Sequence, residues 1–349
     1  MLLALTFLWL LPREGAAQPR QYEAAVVGFY NFENLFDTLD QAATRDEEFT
    51  PQGARAWNGR LYAEKLDHLA RVVSEIGTEW TPDGAALLGV SEIENRQVLE
   101  DFVRHPRLAD RTYRIVHFES PDYRGIDVAL LYNPRYFQLL SARPLPVPIL
   151  DRSRTPPDTL RTRDVLFVSG LLRGDTIHLL VNHWPSRRGG EKASEYKRRI
   201  AAEVNKRVCD SLNAATGGRA KILLMGDLND DPASASVREV LGARRKPEQV
   251  QPGGFFNPMW AMYRKGVGTL AWNDAWNLFD QILVSYGLLQ PEAGFRYLRA
   301  RVFRPDYLVQ KTGRYKGYPF RTFSGDNYIG GYSDHFPVYL LLVRPLPER

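Results

Sequence analysis

Two pairs of apolar runs in this chain are joined by connections too short to hold a helix. YRIVHF (113–118) leads to DVALLY (127–132), and DVLFVSGLL (164–172) leads to TIHLLVN (176–182). Parallel neighbours need a crossover of about a dozen residues or more, so each pair is expected to run antiparallel. A purely parallel, doubly wound sheet is thereby excluded. Further runs rich in β-branched and aromatic residues read as strands: AAVVGFYN (24–31), AALLGVSE (85–92), AKILLMGD (220–227), FDQILVS (279–285) and FPVYLLLV (336–343). Helical spacing replaces them over 60–77, where Leu66, Leu69, Val73 and Ile76 share a face. Tyr196, Ile200, Val204 and Val208 do the same over 191–214, and a shorter helix is expected over 95–104. Mixed sheets flanked by helices fit one domain built on two packed sheets.

The mouths of these strands carry an unusual set of side chains. Asn31 ends the first run, Glu92 the second, and Asn182 with His183 follows TIHLLV. Asp227 and Asn229 follow KILLMG, Asp280 opens QILVS, and Asp334 with His335 precedes FPVYLLLV. Any one of them has an ordinary explanation: Asn and Asp form turns, Glu92 can cap the next helix, and a lone histidine is commonly hydrogen-bonded structure. Six strand ends carrying acid, amide or imidazole, with no hydroxyl or thiol nucleophile, call for a site built on a rigid sheet edge. Cys209 is the only cysteine, which excludes an internal disulfide and a cysteine-based metal centre. Carboxylates and amides favour a hard cation, Mg²⁺ or alternatively Mn²⁺ or Ca²⁺. Two histidines beside carboxylates supply proton transfer near neutral pH. Metal-assisted attack of water on a phosphate ester matches that inventory.

The ordered series YNFEN (30–34), VSEIEN (90–95), NHWPSR (182–187), GDLNDDP (226–232), FDQILVS (279–285) and YSDHFPV (332–338) resembles the endonuclease/exonuclease/phosphatase superfamily. The likeness runs from about residue 24 to 343. It implies a deoxyribonuclease I-like four-layer α/β/β/α sandwich with two mixed, largely antiparallel sheets. It also implies roles: Glu92 as principal metal ligand with help from Asn31 and Asp334, Asp227 orienting or deprotonating the attacking water, and Asn229 holding the phosphate. His335, oriented by Asp280, would bind the phosphate or move a proton, and His183 would face it across the scissile bond. The alternative of His335 with Asp280 as the base stays open. His183 is present and YRGIDVALLY lacks a tyrosine at the strand's opening, so the likeness is to the deoxyribonuclease I and phosphatase branches rather than the base-repair branch. In that stretch Asp127 is a candidate partner for His183, and Arg124 a phosphate contact.

A net charge of +5 suits an anionic substrate. Two basic stretches are candidates to meet one: 186–199, opening with Ser186 and Arg187, and 295–321, where arginine and lysine alternate with phenylalanine and tyrosine. Aromatic interleaving suits stacking plus phosphate contact; the plain alternative for 295–321 is a strand or hairpin with a solvated basic face. The apolar run Leu2 to Leu11, followed by small residues at Ala16 and Ala17, reads as a secretory signal over 1–18, although no Lys or Arg precedes it. The expectation is a secreted or periplasmic, monomeric nuclease over 19–349, with nucleic acid as substrate and no stable membrane insertion. A phosphatase or phosphodiesterase of lipids or small esters is the alternative, and a catalytically dead binding module the third reading.

Overall fold

The computed structural model describes residues 21–346 apart from 43, 152–154, 156–157 and 291–293, and the expected signal segment lies outside these described residues. Twelve strands build two sheets. They are β1 (Tyr22–Leu35), β2 (Ala85–Ile93), β3 (Arg114–His117), β4 (Asp127–Tyr132), β5 (Phe137–Leu145), β6 (Val165–Leu172), β7 (Asp175–His183), β8 (Ile222–Asp227), β9 (Phe255–Phe256), β10 (Asp280–Ser285), β11 (Arg296–Val302) and β12 (Val338–Pro345). One sheet has the order β11-β12-β1-β2-β4-β3, the other β9-β10-β8-β7-β6-β5. Both short-connection pairs are antiparallel, with Arg114 opposite Tyr132 and Leu166 opposite Val181. Among the strand pairs of the two sheets, β1–β2 and β7–β8 are parallel, one central pair in each.

Side chains alternate across a strand, so a strand buried on both faces feeds two cores at once. In β1, Ala25, Val27 and Phe29 enter the core between the sheets, where they meet Leu179, Met225 and Ile282. Val26, Tyr30 and Phe32 turn the other way and pack with Leu69, Val73 and Phe102 from helices α1 (Gly59–Glu75) and α2 (Arg96–Val103). The second sheet is covered by α3 (Glu191–Ala215), through Ala201, Ala202 and Val204 against Leu180, Ile222 and Leu224. These cores make the expected four-layer sandwich. The Asn58 side chain accepts from the amides of Arg60 and Leu61, and Asn95 accepts from Val98, which caps α1 and α2.

Between the sheets, Gly89 marks a point of close approach. A Cβ on Gly89 would lie 2.7 Å from Met225 Sδ and 3.1 Å from both Phe29 Cδ2 and Val181 Cγ1. Two edge strands, β5 and β11, depart from a clean strand pattern. Leu139, Leu140 and Pro144 fall within β5, and an edge tolerates a proline because no ladder hydrogen bond is lost there. The sequence RYLRARV of β11 is the solvated basic strand, its charges guarding an open edge.

Candidate active site

The site forms where the ends of the two central parallel pairs meet. Asn31 and Glu92 come from β1 and β2, His183 and Asp227 from β7 and β8. The antiparallel neighbours complete it: Asp280 lies opposite Asp227 in β10, and His335 stands just before β12. Six strand ends distant in sequence thus converge because each sheet presents the same arrangement to a shared edge.

Local backbone distortion aims two of these residues. Pairing slips between Ser91 and Ile93, a bulge that leaves Glu92 at φ +56°, in the left-handed region that L-residues rarely adopt. Asn229 has φ +48° in the turn after Asp227. Such conformations cost about 1–3 kcal/mol each and persist where surrounding contacts over-determine them. Here those contacts are plain. Asn34 N donates to Glu92 Oε2 at 3.1 Å, Asn229 N to Asp227 Oδ1 at 2.9 Å, and Asn229 Nδ2 to Trp184 O at 2.9 Å.

Asp227 Oδ2 is the focus. Asn31 Nδ2 donates to it at 3.1 Å and lies 3.4 Å from Glu92 Oε1. His183 Nε2 stands 3.7 Å from both Asp227 Oδ2 and Glu92 Oε1. His335 Nε2 approaches Asp227 Oδ2 at 3.8 Å, while its Nδ1 is held 2.6 Å from Asp280 Oδ2. The two imidazoles are pushed in opposite directions. Burial disfavours charge on His335, but Asp280 and Asp227 outweigh it and hold the imidazolium well above the usual range. Burial, reinforced by Arg163, Arg124 and His335, drives His183 well below that range and keeps it neutral. Burial lifts Asp227 to about 7, with His335 opposing and Asp280 and Glu92 adding to the rise. Titratable neighbours driven apart in this way are the arrangement that acid–base chemistry requires.

The donor set fits a divalent cation. Asp227 and Asp280 bring carboxylate oxygens within 4.8 Å of one another, and Glu92 adds a third carboxylate beside Asn31. Asp280 Oδ1 is buried with no hydrogen-bond partner, so negative charge accumulates here without full compensation. Hard oxygen donors of this kind suit Mg²⁺-like ions.

Several residues marked in the sequence have other occupations. Asp127 does not face His183; its carboxylate takes Ser120 and stands 3.0 Å from His117 Nε2, the cross-strand neighbourhood that a linear reading does not reveal. The Arg187 guanidinium is turned away from the cavity: it reaches Asn229 O at 3.0 Å, ion-pairs with Asp230 and Asp231, and covers the Phe279 ring. It fastens the turn that carries Asn229, leaving Ser186 and Arg188 to line the cavity. Arg124 lines the same space, a cavity of about 520 Å³ shared with Arg161 and Lys197. Asp334 is the outlying acid, paired with Arg321 at 3.2 Å and 4.0 Å from His335 Nε2. Asn182 is structural, accepting from Trp184 Nε1 and Asn205 Nδ2.

Other functional neighbours carry weak sequence signals. Arg163 is buried behind His183 and donates to His183 O, Trp184 O and Asp122, yet RTRDV offers nothing to single it out. Lys65 was detectable: it falls four residues from Leu61 and from Leu69 on the buried face of α1. Its Nζ is wholly buried, 2.5 Å from Thr322 Oγ1, 2.7 Å from Tyr332 O and 4.0 Å from Glu33 Oε2.

A four-layer sandwich with an acid–imidazole cluster at its shared sheet edge defines a phosphoesterase fold of the deoxyribonuclease I type. Residues 26–344 match the model of the endonuclease/exonuclease/phosphatase family, and the chain belongs to that family. No curated protein matches the sequence. Among solved structures, a Bacteroides thetaiotaomicron endonuclease/exonuclease/phosphatase family protein aligns with TM-score 0.53 at 14% identity, covering 95% of this chain and 98% of that one. D. rerio TDP2 complexed with single strand DNA product aligns with TM-score 0.52 at 14% identity, covering 91% and 98%. A mannosyl-6-phosphatase from Bacteroides thetaiotaomicron VPI-5482 aligns with TM-score 0.51 at 15% identity, covering 91% and 99%. Similarity at these identities is a similarity of fold.

Proposed function

We propose that the chain is a Mg²⁺-dependent phosphodiesterase that cleaves nucleic acid by in-line attack of water, acting outside the cytoplasm as its apolar N-terminal run suggests. The observation that carries this reading is the convergence of Asn31, His183 and His335 on Asp227 Oδ2, beside the carboxylate of Glu92. In this reading Asp227 orients the water and takes its proton as the new P–O bond forms. Charged His335, its Nδ1–H held by Asp280, offers its Nε2–H to a phosphoryl oxygen. Neutral His183 stands across the site to stabilise the departing oxygen as the old P–O bond breaks, and the turn carrying Asn229 supports the phosphate. Glu92 would hold the cation, which would supply charge neutralisation on the phosphate, while Asn31 Nδ2 braces the carboxylates of Glu92 and Asp227. Arg124, Arg161, Arg188 and Lys197 make one wall a shelf for further phosphates.

The competing substrate is a phosphomonoester of a sugar or lipid. Plasmid DNA, RNA, bis-p-nitrophenyl phosphate and p-nitrophenyl phosphate, each offered with Mg²⁺ or with chelator, separate the two. Nicked plasmid and diester turnover that stop in chelator support the proposal; turnover of the monoester alone overturns it. Undiminished diester cleavage by His335→Ala would refute the assignment of the site.

A further inference from the structure

A second cavity opens at Asp334, the chain neighbour of His335. Its volume is about 360 Å³, room for a nucleoside-sized group, and Asp334 and Arg321 form part of its wall. The rest comes from two segments the proposed mechanism leaves unused. One is the hairpin Leu270–Trp272 and Ala275–Asn277, turned through Asn273 and Asp274 at φ +47° and +63°. The other is the loop that carries Arg314, Tyr315 and Tyr318.

The two segments are tied into a fixed cleft. Asp274 N donates to Tyr318 Oη at 2.7 Å, and that hydroxyl donates to Asp274 Oδ1 at 2.6 Å. At the hairpin's base Trp276 stacks on Phe336, ring centroids 6.2 Å apart, and Arg304 covers both rings. While that tryptophan is anchored, Trp272 at the hairpin's end is 70% exposed, and Tyr315, on the loop lining the same cavity, is 46% exposed. Arg314 lies over the Tyr315 ring at 5.8 Å. Large aromatic faces left in water on a braced scaffold, beside guanidinium groups, are surfaces on which a planar ring stacks.

Position decides which ring. The cleft adjoins the phosphate site through Asp334 and His335, and the basic shelf lies on the other flank of the same site. A polynucleotide whose phosphates cross the shelf and whose scissile phosphate meets Asp227 would bring the next base to Trp272. We propose that the Trp272–Tyr315 cleft seats one unpaired nucleobase adjoining the scissile phosphate, giving the enzyme its preference for single-stranded or frayed nucleic acid. This inference rests on the nucleic-acid diesterase reading above, so its test measures binding without turnover.

A fluorescent thymidine octanucleotide is titrated in chelator against wild type, Trp272→Ala and Trp272→Phe, with thermal midpoints confirming that all are folded. Loss of one base-stacking contact corresponds to about a tenfold weaker Kd for Trp272→Ala, with Trp272→Phe recovering most of the affinity. An octamer lacking bases should bind wild type as weakly as the intact octamer binds Trp272→Ala. Equal affinity of wild type and Trp272→Ala would overturn the proposal. So would displacement of the octamer by mannose 6-phosphate but not by thymidine monophosphate, because the cleft would then be a sugar subsite. Base-dependent binding in a protein that hydrolyses monoesters alone would leave the cleft standing and overturn the diesterase reading.

Discussion

Two buried clusters of charge lie side by side in this molecule and differ in how their charges are met. Near the end of β1, Glu33 is met on every side: Arg321 Nε lies at 3.3 Å, Thr322 N donates at 2.7 Å, and Lys65 Nζ stands 4.0 Å away. Arg321 reaches on to Asp334, and Lys65 to Thr322 and Tyr332. The cluster fastens the loop that delivers Asp334 and His335 onto β1 and α1. Around Asp227, by contrast, Glu92, Asp227 and Asp280 face one charged imidazole and a neutral one, and Asp280 Oδ1 has no partner. Balanced buried charge stiffens a loop, whereas acidic excess at a sheet edge is what a cation and a phosphate ester would relieve.

The sharpest contrast comes from removing one carboxylate or ammonium from each cluster. Asp227→Asn should lower kcat on bis-p-nitrophenyl phosphate on the order of 10²–10⁴-fold. Its thermal midpoint should hold or rise, because one of three crowded buried carboxylates loses its charge. Lys65→Met should do the reverse, costing about 3–5 kcal/mol in a urea titration because Glu33 loses one of its two cations and Thr322 Oγ1 and Tyr332 O lose their buried donor. If Lys65→Met leaves stability intact, or Asp227→Asn lowers it as much, the contrast fails.

Next in size is the packing that holds the two clusters' sheets together. Gly89→Ala should cost about 1–3 kcal/mol, since the new methyl meets Met225, Phe29 and Val181. Adding Met225→Ala should recover part of that loss, read as a partial return of the urea midpoint.

A smaller effect is the pH dependence of the balanced cluster. Burial, with Asp334, lifts Glu33 from 4.5 to about 7, and burial lowers Lys65 from 10.5 to about 8 against the pull of Glu33. Between pH 4.5 and 7 the folded chain keeps a proton at Glu33 that the unfolded chain has lost, so this contribution fades as pH rises. Between pH 8 and 10.5 the unfolded chain keeps a proton at Lys65 that the folded chain has released, so stability recovers. A shallow minimum in thermal midpoint near pH 7–8 should flatten in Glu33→Gln with Lys65→Met. Smallest is a control: burial pushes the Cys209 thiol up to about 12, so native protein should resist thiol reagents that modify it in urea.

The layers and the polar edge were legible because each polar residue interrupts an apolar run at a strand's end, a local pattern. Asn31, Glu92, Asp227, Asp280 and His335 are readable one strand at a time. Pairings across strands were less accessible. Asp127 belongs with His117 on β3, and Arg187 curls back onto the acids of its own neighbouring turn. The edge strands β5 and β11 escaped a period-2 reading because exposure and unpaired ladders relax what residues they accept. Lys65 lay in plain view on an apolar face, but its acid is thirty-two positions away on another element.

Gly89 sits three residues before Glu92, and Met225 two before Asp227. The sheets touch at that glycine, so the gap across which the two carboxylates face one another is gauged by a missing side chain. A methyl added there acts on that spacing without altering any group in the site. Catalytic loss larger than the loss of stability would show that sheet spacing, rather than residue identity alone, calibrates the enzyme.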